Sequence, residues 1–424
     1  MESDYRKSVL SNGIRVISLP LRDRKGVAVG VWIASGSRDD TKGNEGIAHF
    51  TEHLLFKGTK RRSAKDIAQA LERIGGSFDA YTSREETCYY AYLPARNLEV
   101  AIDIMGDILA NSKIDSQDFE KERKVILEEM SENKDSLFDS AISSFYNVFF
   151  KNPELGHPIL GKEDSVIRMM PRDVRDFIRQ NYVGENSIIV AVGNVNHREL
   201  TELVEKYIDL PKSTKIVNRN PASENDAKGF FLVPRDSSQL NLVFGGKTFP
   251  FKDERRYPLG ILDVLLGKGA SSYLFQKVRE EAGYAYNVYS SQEYFQDIGL
   301  WRIFAGIESS RAPEFLDLIS SIFDEIKDDL ITKEDMERVI GSITGRLLLE
   351  SDSLSALMTR IAETEIFLGE FIKTEQSLHK FKKVKIEDVR ELASELFIPA
   401  RIIGVVLGNS DISKFPDWAQ PSKD

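Results

Sequence analysis

The feature that most constrains this 424-residue chain is that its segments recur in two copies. Three pairs of segments match in the same order: HLLFKGT at 53–59 with VLLGKGA at 264–270, DAYTS at 79–83 with NVYSS at 287–291, and RDVRDFIRQNYVGENSIIVAVGNV at 172–195 with EDVRELASELFIPARIIGVVLGNS at 387–410. The chain also exceeds the size at which one hydrophobic core stops growing. We therefore predict two homologous domains, at 1–215 and 216–424, joined by the polar segment 209–229.

Each copy begins with β-branched runs such as GIRVISLP at 13–20, and helical patterns follow these runs. The segment 63–76 has apolar residues at helical spacing behind Ser63, a plausible N-cap, and 115–135 is a second helix candidate. Strands, then helices, then strands in each copy predict an α+β fold. We expect each domain to be a mainly antiparallel sheet packed with helices, so that the whole is a duplicated α/β roll.

Composition narrows the classes of partner and location. A formal net charge of −10 argues against nucleic acid as the main partner and is compatible with basic peptides. The single cysteine, Cys88, lies in a strand-like run, so we expect it to be buried and the compartment to be reducing. No window is long and apolar enough to span a membrane, and the N-terminus lacks a signal core. We therefore predict a cytoplasmic protein.

The segment HFTEHLLFKGT at 49–59 carries the pattern HxxEH. On a helix, His49 and His53 are four residues apart and share a face, with Glu52 on its flank. Two imidazoles can bind zinc, and a neighbouring carboxylate can act as base for a water molecule. This inverted arrangement is a metalloprotease motif.

The second copy lacks these groups. In the register of the repeat, the three motif residues align with residues that include no imidazole, namely Gly260, Asp263 and Val264. We therefore expect one half to carry the chemistry and the other half to contribute something else.

A catalytic zinc site needs a third protein ligand. One candidate is His157, in a turn-like segment; others are the carboxylates of the acid-rich helix 119–133, namely Glu120, Glu122, Glu128, Glu129 and Glu132. Glu122 and Glu129 are two turns apart on one face, whereas Glu128 points elsewhere. An acid-rich helix is also typical of a plain solvated surface, so these residues alone leave the third ligand open.

Three motifs together resemble the zinc peptidase family of pitrilysin, insulin-degrading enzyme and mitochondrial processing peptidase. They are HFTEHLLFKGT, GGSFDAYTSREETCYYAYLP at 75–94 and ERKVILEEM at 122–130. The resemblance covers essentially the whole chain and is strongest to the short processing-peptidase-like branch. It implies Zn²⁺ held by His49, His53 and Glu129, Glu52 as general base, and Glu122 as a support for a histidine ligand.

The resemblance extends to KVREEAGYAYNVYSS at 277–291. There it implies that Arg279 and Tyr286 contact the substrate carbonyl, where they would be suitable oxyanion donors. The alternative is a surface arginine and a half-buried strand tyrosine. The DAYTS segment resembles the family's edge strand, which holds substrate by main-chain pairing. Its implied substrate-binding residues are Asp79, Ala80, Tyr81 and Thr82.

We accordingly predict a zinc-dependent endopeptidase that acts on short or unfolded peptides. Short relatives close around a chamber as dimers, so we also predict a homodimer, with no nucleic acid or membrane as partner. The alternative is a non-catalytic structural or peptide-binding subunit of a larger complex. Retention of Glu52 argues against that alternative, because binding alone requires no base.

Overall fold

The computed structural model describes residues 4–73, 75–213, 219–328 and 330–421. Up to residue 213, the described chain forms strands β1 (Arg6–Val9), β2 (Arg15–Pro20), β3 (Gly26–Ile33), β4 (Ser77–Thr82), β5 (Thr87–Pro94) and β6 (Ser187–Gly193). Its helices are α1 (Ile47–Leu55), α2 (Ala64–Arg73), α3 (Leu98–Asn111), α4 (Ser116–Asp135), α5 (Leu137–Phe149), α6 (Pro153–Gly156), α7 (Glu163–Arg168), α8 (Pro171–Asn181) and α9 (His197–Tyr207).

From residue 219 onward, the described strands are β7 (Gly229–Pro234), β8 (Gln239–Thr248), β9 (Ala285–Tyr294), β10 (Gly299–Glu308) and β11 (Ile403–Gly408). The α-helices are α10 (Arg256–Gly267), α11 (Ala312–Lys327), α12 (Lys333–Asp352), α13 (Leu354–Leu368), α14 (Thr374–Lys383) and α15 (Ile386–Leu396). A π-helix, Leu274–Glu281, precedes β9. Among the described residues, no helix is long and apolar enough to cross a bilayer.

The strand order of the two sheets shows the duplication. The first sheet runs β1-β2-β6-β3-β5-β4 and the second runs β7-β11-β8-β10-β9. Without the extra edge strand β1, the orders coincide, and in each sheet one corresponding pair is parallel: β2 with β6, and β7 with β11. All other described pairs are antiparallel. The predicted fold, mainly antiparallel sheets packed with helices, is confirmed.

The chain divides into two compact units that exchange segments. Unit 1 comprises Met1–Ser131, His157–Asn220 and Leu349–Lys373; unit 2 comprises Glu132–Gly156, Pro221–Leu348 and Thr374–Asp424. The predicted boundary between residues 215 and 216 lies outside the described residues. The predicted halves 1–215 and 216–424 account for most of each unit, but each unit also takes a segment from the other half.

The exchanged segments bring helices that cover the second face of each sheet. Within unit 1, Leu357 and Ile361 of α13 pack with Ile17 and Val190 of the first sheet. Within unit 2, the corresponding helix is α5, whose Ala141, Phe145 and Phe149 pack against the second sheet. Helices on both faces explain why β3 is apolar throughout, since neither side of this strand meets water.

Several local predictions hold. Helix α4 spans 116–135 as predicted, and Cys88 is fully buried in β5. Ser63 caps α2: its hydroxyl accepts from the Asp66 amide at 3.2 Å, and Asp66 Oδ2 accepts from the Ser63 amide at 2.9 Å. This reciprocal pair satisfies two amides that the first helical turn would otherwise leave unbonded.

Candidate metal centre and active site

Helix α1 carries the two histidines of the HxxEH motif. Ile47, Phe50 and Leu54 of this helix are buried in the core of unit 1. His49 and His53 project together from it, with ring centroids 4.6 Å apart. The i, i+4 spacing therefore does what the sequence predicts, and brings two imidazoles to one spot.

The start of α1 is fixed by Asp40 and Gly46. Asp40 accepts from the amides of Gly46 at 2.6 Å and Ala48 at 3.0 Å, which are otherwise unbonded at a helix N-terminus. Gly46 has φ +97°, and a Cβ there would lie 2.4 Å from the Leu160 carbonyl oxygen. Asp40 was not predicted, because it lies seven residues before Ile47, whereas a capping signal is read from the residue next to the helix.

Helix α4 brings the carboxylates to the histidines. Its core face includes Phe119, Ile126 and Met130, all buried, and Phe119 stacks on Phe50 of α1 with centroids 4.5 Å apart. The same face carries Glu122, which is 5% exposed, and Glu129 lies on its margin. Glu128 is exposed.

His49, His53 and Glu129 form a cluster suited to a metal ion. Glu129 Oε2 lies 3.8 Å from His49 Nε2 and 3.7 Å from His53 Nε2. One potential ligand atom from each of the three residues lies within 4.8 Å of the other two. Among the described residues, no other group of three or more histidine, cysteine, aspartate or glutamate side chains could hold a metal ion in this way. His157 is not part of it.

The cluster fits zinc in both chemistry and size. Two histidines and a glutamate are a common ligand set of catalytic zinc, with bonds of about 2.0–2.2 Å that place tetrahedral ligand atoms about 3.4 Å apart. The distances from Glu129 exceed this value by a few tenths of an ångström. Burial, with a smaller contribution from His53, lowers the pKa of His49 to about 3, so this ring is in the neutral form that binds metals.

Glu122 and Lys57 support one of the two histidines. His53 Nδ1 lies 3.3 Å from Glu122 Oε2, and Lys57 Nζ lies 2.8 Å from Glu122 Oε1. In the tautomer that donates from Nδ1, the lone pair of Nε2 faces Glu129 and the metal position. His49 Nδ1, by contrast, is buried with no hydrogen-bond partner among the described residues. Lys57 was not predicted, because no local pattern links it to Glu122, which lies 65 residues further along the chain.

Glu52 lies beside this cluster on the same helix. Its Oε2 accepts a hydrogen bond of 2.5 Å from the hydroxyl of Thr82. Burial raises the pKa of the Glu52 carboxyl, and the Thr82 hydroxyl opposes that rise. A half-buried carboxylate next to a metal position has the properties of a general base.

The predicted substrate-binding residues lie on β4, which is the outer strand of the first sheet. Asp79 Oδ1 accepts from the Ala80 amide at 2.8 Å. Tyr81 is directed to other groups, since its hydroxyl donates to Glu86 and accepts from the Trp32 indole at 3.2 Å. The Tyr81 side chain is therefore committed elsewhere, and the pairing of a peptide with this strand stays a prediction.

Arg279 and Tyr286 lie within unit 2. The Arg279 guanidinium stacks over the Tyr286 ring at 5.0 Å and over the Phe275 ring at 4.7 Å. Tyr286 is 83% exposed, so its hydroxyl is free to meet a ligand. The structure therefore brings the two residues of this signature together, and their contact with substrate stays a prediction.

The second copy keeps part of the site and replaces the rest. Ser290 donates to Asp263 Oδ1 at 2.6 Å, and these two residues correspond in the repeat to Thr82 and Glu52. Lys268 Nζ lies 2.6 Å from Asp263 Oδ2, where its ammonium neutralises the buried carboxylate. A lysine thus balances the acid of the copy that lacks the two motif histidines.

The remaining histidines, including the candidate ligand His157, lie outside this cluster. His157 is 4% exposed, and its Nδ1 lies 2.8 Å from the Pro158 carbonyl oxygen. His197 contacts two serine hydroxyls at 2.8 and 2.9 Å. His379 is exposed.

Comparison with known proteins gives matches to one peptidase family. The family described as Insulinase (Peptidase family M16) matches residues 15–163, and the family described as Peptidase M16 inactive domain matches residues 169–342. The chain is 34% identical over 410 residues to a protein of Mycobacterium tuberculosis named an uncharacterized zinc protease, covering 95% of this chain and 93% of that protein. A Bacillus subtilis protein of the same description is 30% identical, with 92% and 95% covered.

Solved structures share the fold. A protease from Helicobacter pylori superposes with a TM-score of 0.90 at 24% identity, covering 96% of this chain and 99% of that one. A peptidase M16 inactive domain from Pseudomonas fluorescens also gives 0.90, at 17% identity and 96% and 98% coverage. Family matches over both halves and relatives over nearly the full length lead to one conclusion: the chain belongs to the insulinase family of peptidases, family M16.

Proposed function

We propose that the protein is a zinc-dependent endopeptidase that hydrolyses short or unfolded peptides. The observation that carries this proposal is the convergence of His49, His53 and Glu129 from two helices, with Glu52 beside them. The cluster is partly open, since the His53 side chain is 22% exposed and that of Glu129 is 42% exposed. A peptide can therefore reach it.

The residues of the site have distinct tasks in this reaction. His49, His53 and Glu129 would hold the metal, which when bound supplies a Lewis acid that lowers the pKa of a water molecule. Glu52 accepts a proton from the attacking water and then donates it to the nitrogen of the leaving amine. Glu122 holds the His53 ring in place through Nδ1.

Arg279 and Tyr286 would stabilise the oxyanion that develops on the peptide carbonyl. A guanidinium and a phenol are both hydrogen-bond donors suited to this charge. The stacking of Arg279 on Tyr286 supports a shared task, because it holds the two donors as a pair.

The alternative is a non-catalytic subunit that binds peptides or has a structural role. If the protein were such a subunit, loss of the Glu52 carboxylate would not impair its role. The half-buried Glu52 carboxylate, held by Thr82 beside the metal cluster, argues for catalysis, since a binding surface has no need of it.

The test is cleavage of a quenched, unstructured basic peptide by the purified chain. We expect cleavage that a chelator abolishes and that added zinc restores. Glu52→Gln should keep about one zinc per chain and lower kcat by about 10²- to 10⁴-fold, the usual contribution of a general base. Undiminished turnover by this variant would contradict the assignment of Glu52.

A matched pair of variants tests the third ligand. Glu129→Gln should lose zinc, whereas Glu128→Gln, the same change at the exposed neighbouring residue, should retain it. Equal zinc contents in the two variants would contradict the ligand assignment.

The assembly and location are part of the proposal. We propose a homodimer, as the resemblance to short relatives implies, and a mass of about 48 kDa in solution would contradict it, since one chain has 48.0 kDa. We also propose a cytoplasmic location, supported by a single buried cysteine, Cys88.

A further inference from the structure

Thr82 connects the outer strand of the first sheet to the predicted base. We propose that Thr82 is a positioning residue: its hydroxyl fixes the Glu52 carboxylate, and its main chain lies where an extended peptide would pair with β4. The inference rests on the proposed function and assigns to Thr82 a role beyond contact with substrate.

The main-chain pattern of β4 shows which of its groups face outward. The amide of Ser83 donates to the carbonyl of Glu86 at 2.8 Å, so these residues form a hydrogen-bonded antiparallel pair. Hydrogen-bonded and non-hydrogen-bonded pairs alternate along an antiparallel ladder. With Thr82 opposite Thr87 and Ala80 opposite Tyr89, the main-chain groups of Thr82 and Ala80 point away from β5.

The Asp79 contact supports this direction independently. The Ala80 amide donates to Asp79 Oδ1 at 2.8 Å, which places that amide at the open edge of the sheet. A peptide strand paired with this edge would therefore bond to the main chain of Phe78, Ala80 and Thr82.

The side chains of these residues face the helix that carries the base. Alternate residues of a strand share a face, and on this face Phe78 and Ala80 pack on the core that includes α1. Thr82 follows on the same face and reaches Glu52 Oε2 at 2.5 Å. Because threonine is β-branched and its χ1 angle is restricted, a strand held by a peptide also holds this hydroxyl.

The second copy defines the competing explanation. Ser290 and Asp263 make the corresponding contact at 2.6 Å, although the histidines are absent there. Both residues are buried, at 3% and 4% exposure, so a hydroxyl–carboxylate bond at this position can serve stability alone. Ser290→Ala therefore removes the same kind of bond from a copy without the metal cluster and is the matched control.

The experiment compares Thr82→Val, Thr82→Ser and Ser290→Ala. For Thr82→Val we expect kcat to fall by about 10- to 100-fold, as for loss of a hydrogen bond to a charged group. Its KM and its zinc affinity, measured by chelator competition, should stay within about twofold of the wild-type values. Thr82→Ser should recover most of the lost kcat, because it restores the hydroxyl.

Ser290→Ala should lower the melting temperature without a comparable loss of kcat. If Thr82→Val has the wild-type kcat, the inference is overturned. The inference is also overturned if this variant loses zinc or stability to an extent that explains its lower activity. Failure of the wild-type chain to cleave peptide refutes the proposed peptidase and this inference with it. Cleavage by wild type with no effect of Thr82→Val refutes the inference alone.

Discussion

Glu122 offers a direct test of how the protein prepares its metal site. The carboxylate is nearly buried and touches His53 Nδ1 at 3.3 Å and Lys57 Nζ at 2.8 Å. If it fixes the orientation and tautomer of His53, its removal must weaken zinc binding even though it is not itself a ligand. Changes in such supporting residues typically cost about 10- to 100-fold in metal affinity.

The size of the effect should depend on what replaces the carboxylate. Glu122→Gln keeps an oxygen that can accept from His53 and loses the charge, so we expect about a tenfold weaker zinc affinity, or about 1.4 kcal/mol. Glu122→Ala also removes the acceptor, so we expect a loss nearer 100-fold, or about 2.7 kcal/mol. The order of the two variants follows from the contact with His53 Nδ1.

Competition with a chromogenic chelator of known affinity measures these changes without any dependence on turnover. Lys57→Met is the control, because it removes the second partner of Glu122 while leaving the contact with His53. We expect its zinc affinity to stay within about threefold of wild type, below the tenfold loss that follows from disturbing the histidine support. Wild-type zinc affinity in Glu122→Ala would refute the reasoning.

Two further changes test other parts of the site. Asp40→Ala removes the acceptor for the Gly46 and Ala48 amides. We expect the free energy of unfolding, measured with urea, to fall by about 2 kcal/mol and zinc binding to weaken. Asp40→Asn should recover part of the stability and part of the zinc binding. Tyr286→Phe should lower kcat by about 100-fold at unchanged zinc content, as for loss of one oxyanion donor. Tyr284→Phe serves as its control, and equal kinetics for the two phenylalanine variants would argue against the oxyanion role.

Features formed by residues a few positions apart could be predicted from the sequence. The helix face shared by His49 and His53 follows from a spacing of four residues, and the cap at Ser63 follows from a spacing of three. Both are properties of one helix turn, so the local pattern is sufficient. Glu129 was identified through family resemblance, since the residues alone left several carboxylates open.

Contacts between distant segments required the folded chain. Lys57 and Thr82 reach Glu122 and Glu52 from separate elements, and hydrophobic periodicity carries no information on such polar contacts. The exchange of α5 and α13 was likewise not predicted. Periodicity specifies that each helix has an apolar face, but not which sheet covers it.

The sequence by itself determined the duplication, the α+β class and the pairing of two imidazoles, because repeats and helical spacing are written in residue order. Only the tertiary structure decided that Glu129 completes the cluster 76 residues beyond His53. That meeting depends on the packing of Phe50 against Phe119, which sets α4 beside α1. A ligand set spread over two helices comes into being only when their apolar faces are buried together.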